Sequence, residues 1–536
     1  MSRAGRQWMM ACVAAAACTS GVAQRAMQSS AAVLKPESFH HYVTTFRAQE
    51  EKVTGREGAD SWPWMLGEIP WFESSDKHFE ETYYFRWYAW QKHLVKAKNG
   101  WVITEWLPKP EVSDGFFGAL PDATPFHVRE ARWLKDKAIA EDDMRYWLSP
   151  DADPHKYSVA MADAARSVRL ANGDQAFETA LLPAMVKNER AWDAQRDSNG
   201  LYWSIDTRDA MEKSISGDGY RPTLNSYVFG DDEAIAATAE EAGDAAHAKE
   251  YRERAERIRA LIDQNLWNTK DAFYEVMSPV KDSGIRAQKR FIDPGTTMQL
   301  AGVRELVGYI PWMFDEPPAE RLVAWKQLFD PQGFAGEYGP TTAERRSPRF
   351  RFKSSDQCTW NGPSWPFATT QTLTALANVI DGSKQDVVRA SDYMKLFAAY
   401  VRSQHQTLKD GTVIPWIDED LDADTDEWIA KDMLIAKNKQ VGRGNYYNHS
   451  GFADPLITGL IGLRPQAGNE IVLKPLVQGW SYFALDGLPY HGHMLTIVWD
   501  ATGKQYGRGH GLTLMVDGKR AASRKDLGEL HYTLPK

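Results

Sequence analysis

Two acidic segments, far apart in the chain, contain side chains suited to proton transfer. The first is WSIDTRDAMEKSISG, residues 203–217, in which Asp206, Asp209 and Glu212 follow one another at intervals of three. At that spacing the carboxylates lie close together on a helical turn or a tight loop, and like charges that close raise at least one pKa. A carboxyl group that stays protonated near neutral pH can serve as a general acid.

The second segment is PWIDEDLDADTDEW, residues 415–428, which holds seven acidic residues. A run of this kind is by default a solvated surface loop. Our functional interpretation is that the neighbouring Trp416 and Ile417 turn Glu419 inward, where it acts as a base. The two segments together supply one candidate acid and one candidate base.

Calcium binding is an alternative for the second segment, because Asp420, Asp422 and Asp424 alternate as hard oxygen ligands do. The EF-hand pattern is not met, since Thr425 stands where glycine is needed and Lys431 where a closing glutamate is needed. We therefore predict no cofactor, with a structural calcium ion at this segment as the alternative.

A third segment, TWNGPSWPF at residues 359–367, combines aromatic residues with helix breakers. Its glycine and two prolines prevent a helix, yet helical spacing resumes after it, which predicts a rigid loop leading into a helix. Trp360, Asn361 and Trp365 then project from a fixed backbone. Packing at the entry of the helix is the structural alternative.

The composition is that of an ordinary folded protein, with 536 residues, 43% hydrophobic and 25% charged. A net charge of −9 argues against a nucleic-acid partner. Residues 1–23 resemble a cleaved export signal, because two arginines precede a short apolar run that ends in small residues. We expect a periplasmic or secreted protein without a membrane span; lipid attachment at Cys18 is the less favoured alternative. Cleavage leaves Cys358 alone, so we expect no internal disulfide.

The spacing of apolar residues predicts helices along most of the chain and strands at its end. The helical segments are 76–96, 127–147, 155–172, 175–194, 224–242, 245–266, 299–314, 318–329, 366–380, 385–404 and 449–463. Alternating runs after Pro465 contain the turn pairs Thr502-Gly503 and Asp517-Gly518, which indicate hairpins. Paired helices with long loops at one end predict an α/α barrel whose loops hold the functional residues.

At the three segments the chain resembles the α/α-barrel glycoside hydrolases that include trehalases, processing α-glucosidases of family 63 and mannosylglycerate hydrolases. Their acid segment, S-G-(W/M)-D-x-S, is matched by residues 208–214, with Glu212 at the acid position and Ala210 at the glycine. Their segment Y-W-R-G-P-(I/V)-W is matched by residues 359–365, with Asn361 replacing arginine. Their base segment is matched loosely by residues 419–426, with Glu419 at the base.

The resemblance implies a mainly α protein, an (α/α)6 toroid of the six-hairpin type with a small C-terminal β domain. We predict a signal peptide at 1–23, an N-terminal extension at 24–75, the catalytic barrel at 76–465 and the β domain at 466–536. It further implies inverting hydrolysis of a terminal bond in an oligosaccharide or small glycoside, with carboxyl groups about 6.5–9.5 Å apart. Glu212 is then the acid, with Asp209 in reserve, and Glu419 the base.

Side chains that can stack on a sugar or hydrogen-bond its hydroxyls are predicted as substrate ligands, each with a structural role as the alternative. They are Trp203, Arg221, Asn225, Trp360, Asn361, Trp365 and His449.

Two other functions remain open. A polysaccharide lyase or sugar epimerase can use the same scaffold, with Arg345, Arg346, Arg349 and Arg351 as a pocket for a uronate. A glycan-binding protein without catalysis can use the aromatic loops alone. The sequence leaves the sugar, the linkage and the oligomeric state open.

Overall fold

The computed structural model describes residues 32–107, 119–280, 296–351, 359–382, 384–430 and 444–535. The predicted export signal, Cys18, Cys358 and Lys431 lie outside these ranges. Within them the chain is mostly helical up to about residue 460 and consists of strands beyond it. Across the described ranges, no helix combines the length and the hydrophobicity that crossing a bilayer requires.

Within the described residues, six helical segments form a closed series in which each contacts the next and the last contacts the first. They are Thr124–Ala131, Met161–Asn172, Pro222–Ala242, the 3-10 helix Leu306–Phe314, Pro366–Gly382, and Ala453–Pro455 with its π-helical continuation Leu456–Leu460. We call them the ring segments. Most of their side chains are buried, because neighbours cover them on several sides.

A second helix precedes each ring segment in the chain. These helices are Lys77–Trp90, Ala138–Trp147, Gln175–Ala191, Ala245–Asn265, the 3-10 helix Ala319–Gln327, and Ala390–Ser403. In Ala245–Asn265 the buried side chains are Tyr251, Ala255, Ile258 and Ile262, the apolar face that the spacing predicts. Among the described residues, the 3-10 helix Pro36–Phe39 and the α-helices His40–Thr54 and Trp62–Glu68 lie before the first pair.

Buried carboxylates cap two of the ring segments. Asp231 accepts hydrogen bonds from the first three backbone NH groups of Met161–Asn172, at 2.8–3.2 Å. Glu130 does the same for Phe452, Ala453 and Asp454, at 2.8–3.0 Å. The first NH groups of a helix lack intrahelical partners, so each carboxylate satisfies three buried donors and complements the helix dipole. Each cap also holds one ring segment against another.

The strands after the last ring segment form two antiparallel sheets. The larger has the order Trp71–Ser74, Tyr482–Tyr490, His493–Asp500, Gly511–Val516 and Lys519–Arg524. The smaller contains Leu463–Arg464, Glu470–Leu473 and Leu530–Thr533. The strand Trp71–Ser74, which the sequence pattern did not predict, pairs with residues 483–486. Its four residues are too few for a periodicity signal, and its partner is distant in sequence.

Short two- to four-residue strands stiffen the loops between the helices. They are Leu94–Ala97, Gly100–Ile103, Trp203–Ser204, Gly219–Tyr220, Trp267–Asn268, Phe273–Tyr274, Met277–Pro279, Met298–Leu300, His405–Thr407 and Val413–Pro415.

Five helix predictions need correction. The segment 76–96 is helical only up to His93 and ends as the strand Leu94–Ala97. The segment 155–172 is an α-helix only from Met161, after the 3-10 turn Pro154–Lys156. The segment 127–147 is two helices, because Arg132 and Trp133 leave the first one to donate to the buried carboxylate of Asp454. The segment 299–314 begins as strand Met298–Leu300, and only 306–314 is helical. The segment 449–463 is helical from Ala453 to Leu460. In each case long-range hydrogen bonds or strand pairing outweigh local spacing.

Replacing Asp231 with alanine removes the cap of Met161–Asn172 and leaves three buried NH groups without an acceptor. We expect the free energy of unfolding to fall by about 3 kcal/mol, measured by denaturant titration followed by tryptophan fluorescence. Glu233→Ala is the control, because Glu233 is an exposed residue of Pro222–Ala242, the helix that contains Asp231. This change should alter the free energy of unfolding by less than about 0.5 kcal/mol. Equal stability of the two variants would contradict the capping role.

Candidate active site

Glu212 lies in a tight loop that follows the 3-10 turn Asp206–Asp209. The backbone on both sides of it is left-handed, with φ of 55° at Ala210 and 57° at Lys213. Such angles cost a non-glycine residue about 1 kcal/mol, which explains why the resembling families have glycine at the position of Ala210. The loop holds Glu212 half-buried, in a conformation that regular structure does not provide.

A buried ion pair between Arg221 and Asp209 anchors this loop. The guanidinium of Arg221, 0% exposed, donates to the carboxylate of Asp209 at 2.5 Å and to the Gly217 carbonyl at 2.5 Å. Ser158 also donates to Asp209, at 2.6 Å. Glu305 accepts from the backbone of Ile215 at 2.7 Å. The loop is therefore fixed at several points around Glu212.

The segment 359–365 joins the acid loop to the base loop. On one side Trp360 donates from its indole nitrogen to Glu212 Oε2, at 3.0 Å, and from its backbone NH to the Glu212 carbonyl, at 3.2 Å. On the other side Ser364 and Leu421 exchange two backbone hydrogen bonds, at 2.8 and 3.0 Å. Gly362 permits the fold of the segment, because a Cβ atom there would lie 2.4 Å from the Arg351 carbonyl oxygen. Glu419 precedes Leu421 by two residues.

Aromatic rings continue from this segment toward Glu419. The ring of Trp365 stacks on Trp360 at 4.1 Å and on Phe367 at 4.6 Å, and His449 lies 6.3 Å from Trp365. Burial lowers the pKa of His449 well below its ordinary value, while the main-chain groups of Tyr447 and Glu419 act in the opposite direction. His449 is therefore neutral, and among the described residues neither ring nitrogen has a hydrogen-bond partner of good geometry.

The pKa of one tyrosine, Tyr157, is affected by both candidate carboxyl groups. Burial raises the pKa of Tyr157, and the negative charges of Asp122, Glu212, Glu105 and Glu419 raise it further. Water and salt screen the interaction between charges that lie far apart, so the charges that act on Tyr157 belong to one local site. The acid loop and the base loop therefore face a common region that contains Tyr157.

Asp122, Glu105, Tyr157 and Tyr447 are site residues that sequence reasoning missed. The hydroxyl of Tyr447 donates to Glu105. Asp122 lies directly before the ring segment Thr124–Ala131. Position could have revealed them, since Asp122, Tyr157 and Tyr447, like Glu212 and Glu419, lie in loops that enter a ring segment. None of them carries a motif of its own.

Several predicted sugar ligands have other tasks in the structure. Asn225 is fully buried. Its side-chain oxygen accepts a hydrogen bond from the backbone NH of Tyr202, and its side-chain NH2 donates to the carbonyls of Tyr202 and Arg221, all at 2.8–2.9 Å. The Arg221 guanidinium is occupied as described above. Trp203 is buried and packs edge-to-face on Tyr220, at 6.1 Å. The Asn225 amide, the Arg221 guanidinium and the face of Trp203 are therefore not available to a sugar. Each of these three side chains has the structural role that was the alternative to binding substrate.

The other predicted ligands border the site without exposing a flat face. The side-chain amide of Asn361, oriented by its hydrogen bonds, pairs with the carbonyl and Nε of Arg351, at 2.9 and 3.2 Å. Trp360 and Trp365 cover each other's faces and are nearly fully buried. Asp209 is likewise buried in its ion pair, whereas Glu212 is partly exposed. Of the two candidate acids, Glu212 has the better access.

The acidic segment 415–428 is partly buried rather than a solvated loop. Asp420 accepts the backbone NH of Ala430 at 3.1 Å, and Asp422 accepts that of Asp424 at 2.9 Å. Asp424 forms a bidentate pair with Arg345, at 2.7 and 2.8 Å. In the part of the chain that the structure describes, no three His, Cys, Asp or Glu side chains are arranged to hold a metal ion.

The arginines considered for a uronate pocket contact the segments 415–428 and 359–365 or are exposed. Arg345 pairs with Asp424, and Arg346 pairs with Asp330 and Glu344. Arg349 and Arg351 are exposed. Arg345 and Arg346 are thus engaged in ion pairs, and Arg351 bonds Asn361.

Replacing Arg221 with methionine leaves the Asp209 carboxylate buried and unpaired. We expect the free energy of unfolding to fall by about 4 kcal/mol in denaturant titration. Adding Asp209→Asn should restore part of the loss, because the uncompensated charge is removed. Arg190→Met breaks an exposed pair with Glu250 and should cost less than about 0.5 kcal/mol. A loss of that small size in Arg221→Met would contradict the supporting role.

Comparisons with known proteins bear on the family and the fold of this chain. Residues 117–450 match the family model described as mannosylglycerate hydrolase MGH1-like glycoside hydrolase domain. A solved structure titled sialidase shares 36% identity at a TM-score of 0.83, over 94% of this chain and 45% of its own. This chain thus spans less than half of that protein.

Two more distant structures share the fold. The GH63 mannosylglycerate hydrolase from Thermus thermophilus, solved with Tris and D-glycerate, is 12% identical over 70% of this chain and 100% of its own, with a TM-score of 0.50. An alpha-L-rhamnosidase from Dictyoglumus thermophilum is 12% identical over 84% of this chain and 44% of its own, with a TM-score of 0.53. The resemblance drawn from three short segments is confirmed, since the family model covers more than half of the sequence. The chain belongs to the mannosylglycerate hydrolase MGH1-like family of glycoside hydrolases.

Proposed function

We propose that the protein hydrolyses a glycosidic bond with inversion, with Glu212 as general acid and Glu419 as general base. The observation that carries this proposal is the segment 359–365, which is hydrogen-bonded to the acid loop through Trp360 and to the base loop through Ser364. The common influence of both carboxyl groups on Tyr157 supports it. Two carboxyl groups with separate tasks at one site are what this reaction needs.

The reaction divides the protons between the two groups. Glu212 donates its proton to the glycosidic oxygen as the bond to the anomeric carbon breaks. Glu419 accepts a proton from the water that attacks this carbon from the opposite face. His449 is neutral, and within the described part of the chain its ring nitrogens have no hydrogen-bond partner of good geometry, so we propose that it hydrogen-bonds a sugar hydroxyl. The neighbouring Trp365 and Phe367 form an apolar wall beside it.

The architecture that fits this reaction is an (α/α)6 toroid, in which the six ring segments form the inner layer and their entry loops the site. The closed series of contacts supports this arrangement. The substrate is a terminal bond of an oligosaccharide or a small glycoside, and the N-terminal sequence supports export to the periplasm or the medium. The relatives named above are a sialidase, a mannosylglycerate hydrolase and an alpha-L-rhamnosidase, so the proposal names no particular sugar.

Replacing Glu212 or Glu419 with glutamine removes the acid or the base while keeping size. We expect each change to lower kcat/KM at least about a hundredfold on the best natural substrate. Loss of the acid should be much smaller on a dinitrophenyl glycoside, whose leaving group needs no proton. Glu427→Gln, an exposed change in the same loop as Glu419, is the control and should keep wild-type activity. Near wild-type rates in both active-site variants would refute the assignment.

The stereochemistry of the reaction is a separate test. A screen of aryl glycosides and plant or bacterial oligosaccharides identifies a substrate, and proton NMR then follows the anomeric signal of the first product. We expect the configuration opposite to that of the substrate, because a water molecule and not a carboxylate attacks the anomeric carbon. A first product with the configuration of the substrate would exclude the inverting mechanism.

A further inference from the structure

A cavity of about 470 Å³ lies inside the ring, away from the site described above. All six ring segments contribute to its wall, and the residues that do so include Leu170, Ala237, Phe314 and Asn378, toward the C-terminal ends of their segments. The entry loops precede the N-terminal ends of the same segments, so the cavity lies at the other end of the ring from the candidate active site. Its size is within the range of about 300–1,000 Å³ that is typical of small-molecule sites.

The wall of this cavity is charged, but its charges are balanced. Four arginines and four carboxylate side chains line it. Each arginine already has a carboxylate partner; the pairs are Arg129–Asp163, Arg132–Asp454, Arg166–Glu178 and Arg464–Asp381. An anionic ligand would have to compete with these carboxylates for a cation, and a cationic ligand would meet four guanidinium groups, so neither charge is offset on leaving water. The wall therefore favours a ligand that is polar but uncharged.

Polar atoms of the wall retain the capacity for further hydrogen bonds, as donors and as acceptors. The Nε atom of Arg464 is buried and, within the described part of the chain, has no partner. Asp315 is exposed at the mouth of the cavity, and its carboxylate accepts no hydrogen bond from a described residue. The hydroxyls of Thr374 and Thr458 donate to main-chain carbonyls at 3.0 and 2.8 Å, so their oxygens remain acceptors. A ligand that satisfies these groups must both donate and accept.

An apolar part of the wall complements these polar groups. Met313 and Phe314, the last residues of the ring segment Leu306–Phe314, line the cavity, and the side chain of Phe314 is half-buried. Gly230 makes room for this ring, because a Cβ atom at Gly230 would lie 2.3 Å from it. A sugar ring carries hydroxyl groups around its rim and C–H groups on its faces, and such a face packs well against an aromatic ring.

We propose that this cavity is a second carbohydrate site, which binds a small uncharged sugar. Hydroxyl groups of the sugar donate to the Asp315 carboxylate and accept from Arg464 Nε, and its C–H face packs on Phe314. The inference goes beyond the proposed reaction and does not depend on it, because no bond of this ligand is broken.

Two methionine methyl groups report separately on the two ends of the ring. Met313 lines the cavity, and Met211 precedes Glu212 in the acid loop. In protein with 13C-labelled methionine methyl groups, each NMR signal is assigned by its loss in Met313→Leu or Met211→Leu and followed as D-glucose, D-mannose or L-rhamnose is added. We expect at least one of these sugars to shift the Met313 signal saturably, with half-saturation in the millimolar range. D-glucuronate and D-glucosamine, which add a charge to glucose, should bind more weakly than the best neutral sugar.

Variants of the wall then locate the bound sugar. Asp315→Ala should weaken binding at Met313 about fivefold, because a hydrogen bond to a carboxylate is lost. Asp517→Ala is the matched control and should bind as wild type: Asp517 is also exposed and left-handed, with φ of 50° against 53°, but lies between the strands Gly511–Val516 and Lys519–Arg524. Ala234→Trp fills the cavity and should abolish the shift. Should it fail to fold, Thr374→Leu narrows the same cavity at a half-buried position.

Four results would overturn the proposal. The first is the absence of a saturable Met313 shift with all three sugars, which leaves a cavity filled by water alone. The second is tighter binding of D-glucuronate or D-glucosamine than of any neutral sugar, which indicates an ion site. The third is unchanged affinity in Asp315→Ala and in the cavity-filling variant. The fourth is a shift at Met211 alone, which reports a sugar in the candidate active site. Full activity in Glu212→Gln and Glu419→Gln bears on the proposed reaction and leaves this inference unaffected.

Discussion

The site depends on one short segment, residues 359–365, which is hydrogen-bonded to both carboxylate-bearing loops. Trp360 holds the acid loop through two bonds to Glu212, and Ser364 holds the base loop through two backbone bonds to Leu421. Backbone hydrogen bonds therefore largely set the separation of the two carboxyl groups. Because the two loops are already held in place, they lose little conformational entropy when substrate binds. Proline and glycine in the segment restrict its backbone further.

The electrostatic character of the site follows from crowding of acids. Glu105, Asp122, Glu212 and Glu419 all act on Tyr157, and they lie in or beside loops that converge from distant parts of the sequence. Like charges in poorly solvated surroundings raise one another's pKa. Burial, and next the charge of Glu212, raise the pKa of Asp122 to about 7. The cation Arg221 lies below the acid loop, where its charge serves Asp209.

The ring segments also contain buried carboxylates, which serve there as helix caps. Asp231 and Glu130 are buried carboxylates, yet each accepts three backbone NH groups at the start of a ring segment. Such bonds compensate the cost of burial. Because each of these carboxylates belongs to a different ring segment from the one it caps, the starts of the segments are fixed relative to one another. Tyr157 and His449 lie just before these two starts.

The sequence by itself determined the helix-rich class, the strands after residue 465, the family and the two carboxylate segments, because spacing and motif chemistry are local properties. It also identified residues 359–365 as a rigid loop. Only the tertiary structure decided that Asp209, Arg221 and Asn225 are internal supports, that Trp71–Ser74 completes a distant sheet, and that Asp122 and Tyr157 belong to the site. The reason is physical: burial, ion pairing and shared electric fields depend on which distant residues meet, and such contacts leave no periodic trace in a single sequence.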